Sequence, residues 1–432
     1  MIDTGGWFRI GCPTSQIAKP DVVGGIYRIT RADGKGAQEV RNLPWSTLSA
    51  EAVAKQLDAP QSWMQDRAMI ELAMRGHPAI PELRGILESP KSSVTARRNA
   101  IWTLARMQFS DSPDLILDAL KDADLSVRLA ACNAIANTRS WQAIAANEPA
   151  EQIIELERNR TISGALISMV RSGEPAQAAA AAVALGRMGA DNAVGPLLSA
   201  AGRINADHRA LQHALIYALI EIDDYEKTHL SLQSDQPAQI GAALQALSEM
   251  PSSKLEVLDI LPILDSPVES LRETVARVAR KHSDWDAALA NRFLEWRSDL
   301  TEIRREVILD LAPEFVSAPP MMDFLSALML SDEVSEKELA FSLVSRSPEV
   351  EFQAEWETAF RKAIEEGEKG PHANIALDAI TRAGTDLFAK DLQKIANDPK
   401  ERLIFRIKAL RAVSGKDAVL SDDMFAMLVK VL

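Results

Sequence analysis

Apolar residues recur along most of the chain with the period of an α-helix. In the segment 127–135, an apolar residue and an arginine are followed by the apolar side chains Ala131 and Ile135, three and seven positions after the arginine. Side chains at this spacing share one face of a helix, because a turn contains about 3.6 residues. The pattern therefore predicts helices that bury one face.

The same frame recurs at a nearly constant interval. The strong copies are Ala96-Arg97, Val127-Arg128, Leu271-Arg272, Ile303-Arg304 and Phe405-Arg406, and weaker copies begin near Gln177, Arg209, Gln239, Lys337 and Ala373. Successive copies are 30 to 36 residues apart, with one interval of 49 residues. Repeats of this length are typical of paired helices that stack to share a continuous core.

Each copy follows a shorter apolar helix and a polar turn. Pro113 to Leu120 precedes the turn 121–124, which carries two aspartates, and Leu255 to Leu264 precedes Asp265-Ser266-Pro267. One such unit cannot cover its own apolar faces, so neighbouring units must stack. We predict an all-α fold, an α-solenoid of about ten helix pairs over residues 42–432, with a short N-terminal β segment.

The interval of 49 residues, centred on residues 140–161, departs from the repeat. It contains the run Glu151 to Arg158, which indicates an inserted helix or a longer loop. A helix that is merely longer is favoured over an insert with a distinctive contact of its own.

The pattern of an aspartate-rich turn, an apolar-arginine pair and spaced alanines resembles the HEAT-type repeat in its short bacterial form. Alanines such as Ala130, Ala131, Ala134 and the run 178–182 permit a close approach of helices. The sequence contains neither the tetratricopeptide signature Trp-x-x-Leu-Gly-x-x-Tyr nor the ankyrin signature Thr-Pro-Leu-His. The resemblance implies an architecture and no particular chemistry.

Residues 1–41 carry strand and turn signals instead of helical periodicity. Seven of the 20 glycines lie in the first 36 residues, and Gly25 to Arg31 alternates its side chains as a strand does. An isolated hairpin is marginally stable in water, so we expect this segment to pack against another part of a protein.

Four motifs of this segment carry a second resemblance: Asp3-Thr4-Gly5-Gly6-Trp7-Phe8, Cys12-Pro13-Thr14-Ser15-Gln16, Lys19-Pro20-Asp21 and Gly24-Gly25-Ile26-Tyr27-Arg28-Ile29. They resemble the closing blade of the β-propeller in large multidomain proteins of planctomycetes and related bacteria. Those proteins join a propeller similar to quinone-dependent sugar dehydrogenases, HEAT repeats and a c-type cytochrome module. The resemblance implies an extracytoplasmic, periplasmic parent that is a membrane-bound dehydrogenase-like protein.

The resemblance also implies domains. Residues 1–41 would be the remnant of the closing blade, and residues 42–432 a solenoid truncated within a repeat. We accordingly expect a longer product, with further propeller blades before Met1 and with further repeats and then a haem module after Leu432. The sequence itself holds no Cys-x-x-Cys-His motif and no earlier blades, so no cofactor is predicted in this chain.

Composition narrows the classes of partner. Hydrophobic residues make up 47% of the chain but aromatic residues only 5%, which favours helices over sheets. The net charge of −13 and a pI near 5.1 disfavour a general nucleic-acid binder. No apolar run approaches the roughly 20 residues that span a bilayer, so no membrane span is predicted.

Histidines and cysteines are the natural candidates for metal ligands and nucleophiles. The histidines are His77, His208, His213, His229, His282 and His372. His208 and His213 lie about 140° apart around a helix, so they are not expected to share a metal. Surface or repeat-interface positions are expected for all six.

The two cysteines form no zinc or haem spacing. Cys12 is expected to be structural, because a nucleophile needs a neighbouring base and no histidine lies within 60 residues of it. Cys132 is expected to be a small buried apolar residue within its helix.

The repeated arginines Arg128, Arg272, Arg304 and Arg406 allow two interpretations. They could form an anion-binding row, or they could pair with aspartates of nearby turns, Asp122 or Asp124 for Arg128 and Asp299 for Arg304. Structural pairing is the favoured interpretation.

No catalytic, cofactor-binding or metal-ligating constellation is found in the sequence. We therefore predict a non-catalytic HEAT-repeat scaffold within a larger propeller dehydrogenase-like, haem-containing protein. The alternative is a free-standing adaptor whose concave face binds a protein partner. In both cases the expected partner is protein, the parent's own propeller and haem domains or another protein, and neither nucleic acid nor membrane.

Overall fold

The computed structural model describes residues 2–3, 25–26, 43–107, 112–137, 149–172, 174–204, 208–348 and 350–413, with residues 422, 425, 426 and 429. In this part the chain is a HEAT-like α-solenoid, as predicted. The only strands among these residues pair antiparallel, β1 (Ile2–Asp3) with β2 (Gly25–Ile26), and Ile2 lies opposite Ile26. The predicted strand Gly25 to Arg31 is thus described for its first two residues.

Eleven helix pairs follow one another in the described residues, each with a first and a second helix. The first helices are α1 (Ala50–Ala54), α3 (Ile80–Glu88), α5 (Ser112–Ala119), α7 (Pro149–Arg171), α9 (Val194–Ala201), α11 (Tyr225–His229), α13 (Val257–Ile260), α15 (Asp286–Trp296), α17 (Pro319–Met329), α19 (Glu357–Glu365) and α21 (Ala389–Asn397). The second helices are α2 (Ser62–Arg75), α4 (Val94–Met107), α6 (Leu125–Asn137), α8 (Pro175–Met188), α10 (Arg209–Ile222), α12 (Pro237–Leu247), α14 (Glu269–Ala279), α16 (Glu302–Phe315), α18 (Val334–Arg346), α20 (Ala373–Ala383) and α22 (Leu403–Ala412).

All ten predicted frames lie on second helices, α4 to α22, which confirms the repeat assignment. The pair α1–α2 precedes the first predicted frame. The predicted longer helix of the 49-residue interval is α7, which has 23 residues. The boundary between residues 41 and 42 falls outside the described residues, and the proposed blade remnant is described only at residues 2–3 and 25–26, so both stay predictions.

Helix ends follow local chemistry. α8 starts with Pro175, and the Glu174 side chain accepts hydrogen bonds from the backbone N–H groups of Ala176 and Gln177. The helix ends at Gly189, whose φ of 64° is a left-handed conformation that glycine adopts without steric cost. Polar and glycine residues at the helix ends therefore determine where the helices of this unit begin and end.

The second helices form the closer-packed of two layers. Each one packs directly on the next from α2 to α22, whereas several successive first helices make little contact with each other. When successive helices pack more closely in one layer than in the other, the stack curves toward the closer layer. We therefore call the second helices the inner layer. Their solvent-facing side is the concave surface of the solenoid.

Small side chains allow this close packing. Gly186 of α8 faces α10, and a Cβ built at Gly186 would lie 2.8 Å from the Cα of Ala218. Ala181 and Ala182 of α8 are fully buried in the same layer. The predicted role of small residues in bringing helices together is confirmed at this contact.

The core changes character near α12. Residues from Val53 to Met250 form one apolar cluster of aliphatic side chains, and residues from Ile240 to Val413 form another. The second cluster contains the large buried rings, Trp285, Phe293, Trp296, Phe315, Phe324, Phe341, Trp356, Phe360, Phe388 and Phe405. Helices in the first half are therefore separated mainly by alanine and leucine, and helices in the second half by aromatic rings.

Candidate protein-interaction surface

The concave surface begins with an apolar patch on the first two units. Trp63, Ile70 and Met74 lie seven and eleven residues apart on α2, so they share one helix face. Their exposed fractions are 42%, 44% and 74%. Trp102 occupies in α4 the position that Ile70 occupies in α2, and it is half-buried against the core. We call these four residues the apolar patch.

A polar cluster follows on the middle units. The guanidinium of Arg187 on α8 lies 5.9 Å from the ring centroid of Tyr217 on α10, and 3.2 Å from the carboxylate of Glu221. His213 stacks on Tyr217 with a ring separation of 6.2 Å. A hydrogen bond to Glu221 raises the pKa of the Tyr217 hydroxyl above its ordinary value. The cluster can thus both donate and accept hydrogen bonds.

Ion pairs between neighbouring second helices occupy the rest of the concave surface. Arg280, directly after α14, lies 2.6 Å from Asp310 of α16, and the next residue, Lys281, pairs with Glu249 beside α12. Farther along, Arg305 lies 3.4 Å from Glu338 and Lys408 lies 2.7 Å from Asp378. Each pair joins residues about one unit apart in sequence. Exposed ion pairs of this kind contribute about 0–1 kcal/mol each to stability, so they affect the charge of the surface more than the stability of the fold.

Charge is distributed unevenly between the two halves of the chain. Residues 1–222 contain 23 basic and 23 acidic residues, whereas residues 223–432 contain 25 basic and 38 acidic residues. The difference in the second half, 25 − 38 = −13, equals the net charge of the whole chain. A neutral half that carries the apolar patch is thus joined to an acidic half.

The repeated arginines are used by the fold. Arg304 binds Asp299, as predicted, at 2.8 Å, and its Nε donates to Asp265 at 2.8 Å. Arg272 donates to the carbonyl of Ser266, and the buried Arg406 donates to the carbonyl of Ala396. These partners favour structural pairing over an anion-binding row.

The partner predicted for Arg128 requires a correction. Arg128 donates to the backbone carbonyl of Asp122 at 2.8 Å, not to its carboxylate. That carboxylate is held by Arg97 of the preceding unit, at 2.7 and 3.0 Å. Asp124 accepts hydrogen bonds from Ser126, which lower the pKa of its carboxyl. Arg97 of one unit therefore binds the turn of the next unit, because Asp122 precedes α6 while Arg97 lies on α4.

Replacing Arg97 with methionine is expected to destabilise the solenoid by about 1.5–3 kcal/mol, the usual range for hydrogen bonds to a charged group. The side chains of Arg97 and Asp122 are 14% and 12% exposed, so the carboxylate would lose its partner in a mostly buried site. The control is the adjacent Arg98→Met, because Arg98 is half-buried like Arg97 but has no ion pair among the described residues. Urea unfolding followed by circular dichroism measures both, and equal losses would contradict the assigned role.

The histidines lie where the sequence placed them, on the surface or between units. His372 is buried, with Nε2 2.9 Å from the carbonyl oxygen of Val334. His229 lies 2.8 Å from Asp259, and His282 stacks on Trp285. His77 and His208 are exposed, as is His213.

The cysteine predictions have different outcomes. Cys132 is fully buried in α6, which confirms its apolar role, and burial raises the pKa of its thiol to about 12. A thiol with such a pKa is not a nucleophile near pH 7. Cys12 lies outside the described residues.

Metal-ligating groups and membrane-spanning helices are both absent from the described part of the chain. Within the described ranges, no group of three or more His, Cys, Asp or Glu side chains is arranged to hold a metal ion. None of the helices seen there combines the length and the apolar character that crossing a bilayer requires.

Comparisons with known proteins give only distant structural likenesses. No family model matches the sequence, and no curated protein matches it. Among solved structures, the complex of CpcE and CpcF of phycocyanin lyase from Nostoc is 17% identical with a TM-score of 0.30, over 63% of this chain and 96% of that chain. Kap95p, in a complex with RanGDP, is 13% identical with a TM-score of 0.43, over 86% of this chain and 57% of that chain. The fold assignment rests on the helix pairing of the chain itself.

Proposed function

We propose that this chain is a non-catalytic scaffold that binds a protein partner along its concave surface. The observation that carries the proposal is the inner layer, a continuous row of second helices whose outward side chains are not used by the core. Trp63, Tyr217 and Gln245 are examples from three units of this row. A stack of repeats with such a row offers an extended surface to a partner.

The chemistry of the described residues supports a binding role. The arginines of the repeat hold turns, Cys132 is buried, and the histidines form ring contacts and single hydrogen bonds. The acidic second half would repel a polyanion, which favours protein over nucleic acid as the partner.

A finer proposal concerns the parent protein. We propose that the partner is the propeller or the haem domain of a larger dehydrogenase-like protein. The resemblance of residues 1–41 to a closing propeller blade supports this proposal. The alternative is a free-standing adaptor that binds a separate protein.

Site-specific photo-cross-linking tests the scaffold and the identity of its partner. A photo-reactive phenylalanine analogue replaces Gln245 of α12 on the concave surface, in the full chain expressed in its source cell. We expect a discrete cross-linked adduct, because a bound partner would lie within reach of this side chain. Mass spectrometry then identifies the adduct as a propeller or haem protein, as the finer proposal expects, or as another protein, as the adaptor alternative expects.

The matched control carries the same analogue at Lys390 of α21, an exposed position on a first helix. The control is expected to give little adduct, because Lys390 faces away from the concave surface. Adducts of equal yield at both positions, or at Lys390 alone, would contradict binding along the inner layer.

A further inference from the structure

The apolar patch has the composition of a binding hot spot. Trp63, Ile70 and Met74 are exposed although other apolar residues of α2, such as Leu72, are fully buried. Tryptophan, methionine and arginine are enriched in the energetically important part of protein interfaces. Three large apolar side chains on one face of one helix differ from apolar residues scattered singly over a surface.

Two arginines flank the patch without acidic partners. Arg98 and Arg106 lie on α4, four residues before and four residues after Trp102, so all three share a helix face. Arg106 donates to the backbone carbonyl of Trp102 at 3.0 Å. Neither guanidinium has an ion pair among the described residues, whereas Arg97 beside them is fully engaged by Asp122. Asp66 is the acidic residue of the corresponding face of α2.

The dimensions of the patch fit a short helix. Trp63 and Met74 are eleven residues apart, which corresponds to about 16 Å along α2 at the rise of an α-helix. Three turns of a bound helix cover the same length and present apolar side chains at i, i+4 and i+7 to one groove. The patch lies on α2 and α4, which pack directly on each other.

We propose that the apolar patch binds an amphipathic helix with an acidic face, supplied by a partner protein. The apolar side of that helix would pack on Trp63, Ile70 and Met74, and its carboxylates would pair with Arg98 and Arg106. This inference rests on the proposed scaffold function and assigns it a class of partner. Charge complementarity selects an acidic helix over a basic one, because Arg98 and Arg106 flank Trp102 and neither has an acidic partner among the described residues.

A second copy of this chain fits the patch less well, although its second half is acidic. Carboxylates on the concave surface of that half, such as Asp310, Glu338 and Asp378, already pair with neighbouring basic side chains. Docking a second copy would break these pairs. A separate acidic segment carries no such cost.

The test uses two designed peptides of fourteen residues with identical leucines at i, i+4, i+7 and i+11. One peptide has glutamates on its polar face and the other has lysines. Fluorescence anisotropy against the full chain measures both affinities. We expect the glutamate peptide to bind about tenfold or more tightly than the lysine peptide, and to lose affinity as salt is raised.

Three variants of the surface should lose affinity for the glutamate peptide without disturbing the core. We expect a loss of about tenfold or more from each of Ile70→Glu, Met74→Glu and the double variant Arg98→Glu with Arg106→Glu. The matched control is Leu258→Glu, because Leu258 is 68% exposed on the first helix α13. That control should leave binding unchanged.

Other occupants of the patch give distinct outcomes. A photo-reactive analogue at Ile70 that cross-links to residues 1–42 of the same chain, or to a second copy, would overturn the proposal. Equal binding of both peptides, or an equal loss in Leu258→Glu, would also overturn it. If the peptide tests contradict binding at the patch while the analogue at Gln245 still captures a partner, the proposed scaffold function stands and only the acidic helix is rejected.

Discussion

Replacing Trp356 with alanine is expected to give the largest loss of stability, about 3–5 kcal/mol, as for other fully buried aromatic residues. Trp356 ends the 3-10 turn directly before α19, the first helix of the tenth pair, and has no exposed surface. Its indole N–H donates to the hydroxyl of Ser326 at 2.9 Å, and its ring contacts Phe352 edge-on at 5.8 Å. The change would leave both a cavity and an unpaired hydroxyl between α17 and α19.

Urea unfolding with circular dichroism measures the total loss, and hydrogen exchange localises it. Because each unit contacts only its neighbours, we expect faster exchange from α17 to α21 and little change from α2 to α8. Trp63→Ala is the matched control, since Trp63 is 42% exposed and should cost less than about 1 kcal/mol. Similar losses from Trp356→Ala and Trp63→Ala would contradict the assigned core.

Replacing Gly186 with alanine is expected to destabilise the chain by about 2 kcal/mol, although alanine is the better helix former. The added Cβ would lie 2.8 Å from the Cα of Ala218, so α8 and α10 would have to move apart. The atom it meets is backbone, which cannot rotate away as a flexible side chain does.

Gly85→Ala provides a control of the opposite sign. Gly85 lies inside α3, and a Cβ there meets no atom within 4 Å. Alanine should therefore stabilise this helix by about 0.5–1 kcal/mol through helix propensity. The two variants differ only in what surrounds the methyl group, and thermal unfolding measures both. A gain in stability from Gly186→Ala would show that the inner layer is looser than the structure indicates.

The first unit shows where sequence patterns fail. α2 has buried residues at Ala68 and Leu72, but its apolar-arginine pair, Met74-Arg75, stands at its end instead of its start, and no aspartate-rich turn precedes it. The start of this helix, Ser62-Trp63-Met64, therefore could not be recognised from the sequence as a copy of the repeat. The remaining signal was the distance of 32 residues from Ser62 to Val94, which continues the interval of the repeat.

The apolar patch could not be derived from the sequence either. Trp63, Ile70 and Met74 have the spacing of a buried helix face, and tryptophan and isoleucine are usually counted as core. Only the packing of α2 against its neighbours decided that this face is exposed. That Arg97 has an acidic partner, whereas Arg98 and Arg106 have none among the described residues, was likewise decided only by the tertiary structure.

The sequence by itself determined the helix-turn-helix unit, its repetition, the longer helix α7 and the burial of Cys132. These features depend on periodicity and on local turn chemistry, which are encoded within a few turns of chain. The tertiary structure decided which arginine holds Asp122, which layer is concave and which apolar face of α2 stays in solvent. Periodicity reports the angle of a residue around its own helix, whereas these properties depend on how one unit is placed against the next.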